Sequence, residues 1–228
     1  MNNLLERLEH VKEIIKKSAV KGGNSPEHIK LIVVTKTVDA DIIRQVIACG
    51  AEDIGENRVQ NLLEKYESIS EKVNWHFIGH LQSNKVKYLI NKVSMIHSLD
   101  RESLANELEK QGKFFNYTFN CLVQVNISGE NSKFGVSPKN VEGLLLKLSK
   151  LERINIQGLM TMAPFEANPD NTRFVFEGLR DLKHKLEALH IPRIELKYLS
   201  MGMSNDYEIA LEEGANMIRI GSEIFGNM

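Results

Sequence analysis

Leu4, Leu5, Leu8, Val11, Ile14 and Ile15 recur at helical spacing, which predicts an amphipathic helix ending before Gly22, Gly23 and Asn24. The period then changes. Leu31–Thr35 is a short β-branched run with no polar face, as in a strand buried on both sides. Asp39 stands where a helix N-cap belongs, Ile42, Ile43, Val46 and Ile47 share one face behind it, and Gly50 follows Cys49 as a stop. The alternation continues to the end of the chain. Further strands are expected at Glu52–Gly55, Trp75–Gly79, Ser94–Leu99, Cys121–Ile127, Ile156–Met162, Leu196–Ser200 and Met217–Gly221. Helices are expected between them at Asn57–Tyr66, Asn84–Asn91, Arg101–Gln111, Pro138–Lys150, Asp170–Leu189 and Ser204–Glu213.

Strands alternating with helices imply parallel βαβ units, and eight of them in 228 residues match an α/β fold of the (β/α)8 TIM-barrel type. The expectation is a single domain over residues 1–228 with an extra N-terminal helix. An open doubly wound sheet fits less well, because Thr35–Asp39 follows the first strand where a Gly-rich dinucleotide turn would stand. The longest irregular stretch, Ala163–Asn168, reads as a strand-to-helix loop. With 29 basic and 30 acidic residues the charge is balanced, so nothing points to a nucleic-acid or membrane partner. The charged N-terminus lacks a signal-peptide core, and no apolar run reaches the roughly 18 residues of a membrane span, so the expected location is the cytoplasm. Cys49 and Cys121 are far apart and lack CxxC spacing, which argues for two reduced thiols rather than a disulfide or a metal site.

Barrels of this kind do their chemistry at the C-terminal ends of the strands. The first strand ends at Lys36. A lysine desolvated there becomes a nucleophilic amine able to form a Schiff base; otherwise it is only a solvated lysine. The seventh strand leads into Ser200, Gly202 and Ser204, where Gly202 permits close backbone approach and Ser204 can cap the next helix, whose free N–H groups suit an anion. The eighth strand leads into Gly221 and Ser222, and loops after strands seven and eight often form a phosphate site together. Arg219, inside that apolar strand, needs either a structural carboxylate or a ligand acceptor such as a ring nitrogen. Asn57 and His80 stand at further strand ends, where each either orients a ligand or caps a helix, and Lys133 lies in a polar loop after the fifth strand.

Eight ordered motifs, from Leu31 to the C-terminus, resemble the pyridoxal phosphate homeostasis protein family. They are Val34–Thr37, Gly55–Gln60, Trp75–Gln82 with Asn84 and Lys85, Val125–Ser128, Lys133–Gly135, Gly158–Ala163, Leu199–Ser204 and Arg219–Gly226. The resemblance implies a barrel like the N-terminal domain of alanine racemase, with pyridoxal 5′-phosphate (PLP) as a Schiff base on Lys36. It implies phosphate held by Ser200, Ser204, Gly221 and Ser222, and Arg219 at the pyridine nitrogen. It further implies a role in supplying or buffering PLP and in amino-acid balance, with PLP-dependent apoenzymes as recipients and no established turnover. A PLP-dependent racemase is the alternative. Racemases take their second base from a further domain or subunit, whereas this chain ends at Met228, directly after the last strand.

Overall fold

The computed structural model of the chain describes residues 2–130, 133–166 and 168–226. Its eight strands are β1 (Lys30–Val34), β2 (Asp53–Glu56), β3 (Asn74–Phe77), β4 (Met95–Leu99), β5 (Phe119–Gln124), β6 (Ile154–Met160), β7 (Ile194–Met203) and β8 (Met217–Ile220). All pair in parallel with their sequence neighbours, and β8 returns to β1, which closes the barrel. Around it stand α1 (Asn2–Lys21), α2 (Ala40–Ala48), α3 (Val59–Ser68), α4 (Glu102–Phe115), α5 (Pro138–Leu148), α6 (Arg173–Glu187), α7 (Tyr207–Glu212) and α8 (Ser222–Phe225). This is the expected single-domain (β/α)8 barrel, and closure excludes the open sheet.

Leu4, Leu8, Val11 and Ile15 of α1 are buried, the stripe read from the sequence. At about 1.5–3 kcal/mol per buried side chain, the stripe holds α1 against α7 and α8. Asp39 caps α2 as expected, its carboxylate accepting from the Ile42 N–H at 3.0 Å. Two elements differ from expectation. The segment Ser83–Leu89 is a 3-10 helix rather than an α-helix. The seventh helix begins at Tyr207, three residues late, because Asp206 takes the N-cap position and its carboxylate accepts from the Met203 N–H at 2.6 Å. Ser204 therefore lies in the turn before the helix.

Ile32, Met95, Leu122, Met160 and Met217 pack together inside the barrel, while the larger core fills the layer between strands and helices. Between Ser200 and Met203, β7 advances three residues while β8 advances two, from Met217 to Arg219. This one-residue bulge contains Gly202 at φ +94°, left-handed backbone that favours glycine. Bulges re-aim the chain, and this one carries Ser204 towards the end of β8. Among the described residues, no helix is long and apolar enough to cross a membrane.

Candidate functional site

Lys36 follows the end of β1 and keeps the alternation of Ile32 and Val34. Ile32 packs inside the barrel, so that alternation assigns Lys36 to the side of the mouth. The preceding residue is fixed from outside. The Thr35 hydroxyl donates to Glu56 at 2.6 Å, and Lys65 of α3 donates to both the Thr35 carbonyl and Glu56 at 2.7 Å. Lys36 itself is exposed, so of the two readings its position left open, the protein's own atoms match the solvated lysine. Its amine has no carboxylate within 4 Å among the described residues.

On one side of Lys36, β1 pairs Val34 with Gly55 and the Thr35 N–H donates to the Gly55 carbonyl at 3.0 Å; Asn57 stands just beyond the end of β2. Asn57 is half-buried and held by close packing: a Cβ on Gly79 would lie 2.0 Å from its carbonyl oxygen. On the other side, β1 pairs Val33 with Ile220 of β8. A Cβ on Gly221 would meet the Val34 carbonyl at 3.0 Å. The Gly221 N–H donates to Ser204 Oγ at 3.3 Å, a weak bond that joins the loops after β7 and β8. Ser204 and Ser222 also share the lining of a cavity of about 520 Å³, with Asp206, Glu223 and Phe165. Burial pushes the Asp206 and Glu223 carboxyls above the usual carboxylate range, which disfavours a negative charge on either. A larger cavity, about 770 Å³, lies at the opposite end of the barrel, beside Lys30 and Asp53.

Arg219 is buried, with 3% of its surface exposed. Its Nη1 donates to Ser200 Oγ at 2.6 Å and its Nη2 to the Thr161 carbonyl at 2.9 Å. Among the described residues no carboxylate lies within ion-pair distance, so the structural carboxylate considered from the sequence is not there. Burial pushes the guanidinium down to about 10, against a weaker opposing pull from Asp206. Ser200 is fully buried inside the barrel, with its hydroxyl on Arg219 and His97, apart from Ser204, Gly221 and Ser222 at the rim. His80 stacks on Phe134 at 3.9 Å between centroids and lies 3.4 Å from Asp100, which anchors it at another strand end. Lys133 pairs with Glu130 of its own loop.

Position along the sequence assigns no role to Glu56, Lys65, Asp53, His76 or His97, although Glu56 and His76 fall within the family motifs. The signal for the two histidines was present. His76 and His97 sit in apolar strands just as Arg219 does, and the same argument from buried polarity applies to them.

The site therefore gathers an exposed amine, a rim of serines and glycine N–H, and a buried cation whose remaining N–H groups meet no carboxylate among the described residues. An aldehyde bearing an anionic phosphate and an acceptor nitrogen has one counterpart for each. Residues 6–228 match the family model described as alanine racemase, N-terminal domain. The chain is 44% identical over 225 residues to the pyridoxal phosphate homeostasis protein of Aquifex aeolicus, covering 98% of each. It is 32% identical to the Synechococcus elongatus protein PipY, solved with PLP bound, with a TM-score of 0.86 over 98% of this chain and 100% of that one. An alanine racemase of Clostridium difficile shares the fold alone, at 17% identity, a TM-score of 0.77 and 56% of its length covered.

Proposed function

The chain belongs to the pyridoxal phosphate homeostasis proteins, and on that premise we propose that it binds PLP at the mouth of its barrel and serves PLP homeostasis as a carrier or buffer. The observation that carries this reading is Arg219, a buried guanidinium with no carboxylate at ion-pair distance among the described residues, beneath a mouth that bears the exposed Lys36. A desolvated cation is expensive unless an acceptor meets it, and a pyridine nitrogen is a neutral acceptor of the right kind. Arg219 would donate to that nitrogen. Ser204, Ser222 and the Gly221 N–H, at the start of α8, would hold the phosphate, with Gly202 keeping the bulge that brings the two loops together. Ser200 would support Arg219 from below. Asn57 would border the cofactor on the β2 side, and Lys36 would hold its aldehyde carbon covalently.

PLP supplies an aldehyde that captures amines and a ring that withdraws electrons. An arginine at the ring nitrogen keeps that nitrogen unprotonated, which makes it a weak electron sink and suits storage better than turnover. The two free thiols, Cys49 and the buried Cys121, fit a reducing compartment, so we place the protein in the cytoplasm, with PLP-dependent apoenzymes as recipients. The test is a side-by-side titration with PLP and pyridoxal. PLP binds at least tenfold more tightly if the rim holds a phosphate; equal affinity for the two removes the phosphate site and with it this reading.

A further inference from the structure

The barrel interior holds a file of polar side chains running from one end to the other. Asp53 Oδ1 lies 2.9 Å from His76 Nε2, and His76 Nδ1 lies 2.9 Å from His97 Nε2. His97 Nδ1 lies 3.0 Å from Ser200 Oγ, which accepts from Arg219 Nη1 at 2.6 Å. These five residues come from β2, β3, β4, β7 and β8, and all are buried.

Counting donors fixes the direction of the file. Arginine only donates and a carboxylate only accepts. With Arg219 donating to Ser200, the Ser200 hydroxyl hydrogen is free to go to His97 Nδ1. Burial, reinforced by the charge of Arg219, holds His97 well below the usual imidazole range, so its ring is neutral, and with the Ser200 hydrogen on Nδ1 it carries its proton on Nε2. That proton points to His76 Nδ1, and His76 donates from Nε2 to Asp53. Burial raises the Asp53 carboxyl, but the hydrogen bond from His76, with the Lys30 charge, outweighs it and holds the group ionised. Every bond thus points from the cation to the anion, with one donor and one acceptor at each link. The reverse order needs a second proton on a histidine and leaves the Ser200 hydrogen without an acceptor in the file.

We propose that Asp53, His76 and His97 are positioning residues for the site: through Ser200 they aim the Arg219 guanidinium at the mouth and supply its counter-charge from the far end of the barrel. A carboxylate placed directly on Arg219 would occupy the N–H groups a ligand needs. A carboxylate four hydrogen bonds away leaves them free while the polarised file offsets part of the burial cost. The other charged groups facing the file are Lys30 of β1, 3.7 Å from Asp53 Oδ2, and Asp206, which favours the Arg219 charge from the turn before α7. The proposal rests on the PLP reading only for what Arg219 addresses.

The file is tested first in the cofactor-free full-length protein. Nitrogen-15 NMR of labelled histidines should show the proton on Nε2 of both His76 and His97, with His97 staying neutral well below the usual imidazole range. A proton on His97 Nδ1, or ordinary titration near 6.5, overturns the proposal. The second arm compares PLP with its 1-deaza analogue, which lacks the ring nitrogen. In the natural protein PLP should bind about tenfold more tightly than the analogue, as expected for a hydrogen bond to a charged group. His97→Leu should erase that preference. His97→Gln, whose amide can still accept from Ser200 and donate to His76, should restore most of it. Asp53→Asn serves where His97→Leu does not fold, and should reduce the preference. Equal losses for both ligands would mean a merely structural file. Failure of the natural protein to bind PLP at all would remove the proposed function while leaving the tautomer result to stand or fall alone.

Discussion

Replacing Gly202 by alanine should damage both the fold and the site, by an amount the structure allows one to work out. The residue sits in the β7 bulge at φ +94°, where an L-side chain is strained. Holding a non-glycine residue in such a conformation costs about 1–3 kcal/mol. The new Cβ would also lie 2.7 Å from Ala210 Cβ and 2.9 Å from Tyr207 Cα, both too close for carbon atoms. Overpacking of this kind adds about 1–3 kcal/mol. The sum, roughly 2–6 kcal/mol, corresponds to a fall in Tm on the order of 5–20 °C for a chain of this size. Relief comes when α7 moves outward, which pulls the Ser204 turn away from Gly221, so PLP affinity should fall too. Gly23→Ala isolates the backbone part, because Gly23 has φ +74° with nothing within 4 Å of the added carbon. Ala210→Gly removes the nearer clash and should restore part of the loss in the double variant. Thermal melts of the four proteins decide the matter: a Gly202→Ala loss no larger than that of Gly23→Ala would refute the steric argument.

Two further outcomes follow from the same contacts. Ser204→Ala removes one phosphate contact and the acceptor for the Gly221 N–H, a weak bond at 3.3 Å, and should weaken PLP only about fivefold, near 1 kcal/mol, because backbone groups carry the rest; a loss beyond a hundredfold in a binding titration would show that this one hydroxyl, and not the backbone, dominates phosphate binding. His97 is fully buried and held below 6.5, so under acid conditions the unfolded chain takes up a proton there that the folded chain refuses. Its stability contribution is complete above pH 6.5 and declines as pH falls towards the folded value, by up to about 1.4 kcal/mol per pH unit. Urea unfolding of the cofactor-free protein between pH 7.5 and 5 should therefore show a steeper acid loss than His97→Gln, and parallel curves would contradict this.

Much of the barrel is legible because its strands and helices have different periods, and because Gly and Asp mark the helix ends. The boundaries that moved did so through tertiary contacts. Asp206 captures the Met203 N–H and delays the seventh helix, and the bulge that lengthens β7 is a relation between two strands, invisible in either alone. Lys36, Gly221 and Ser204 were readable from their positions at strand ends. The exposure of Lys36 was not, since it depends on what stands opposite. Ser200 looks equivalent to Ser204 in the sequence. The structure turns one inward to Arg219 and leaves the other on the rim, a distinction set by the intervening bulge. The Asp53–His76–His97 file needed three strands in register before its members could be seen to meet.

The central claim is that PLP occupies this mouth with its aldehyde carbon joined to Lys36. It is tested most directly by intact-protein and peptide mass spectrometry of protein loaded with PLP, before and after borohydride, which converts a carbon–nitrogen double bond into a stable secondary amine. The account predicts one reduced adduct per chain, on the peptide containing Lys36, and its loss in Lys36→Ala, which still binds PLP reversibly through the phosphate rim. A full-stoichiometry adduct surviving in Lys36→Ala, or an adduct mapped to Lys133 in the natural protein, would contradict it.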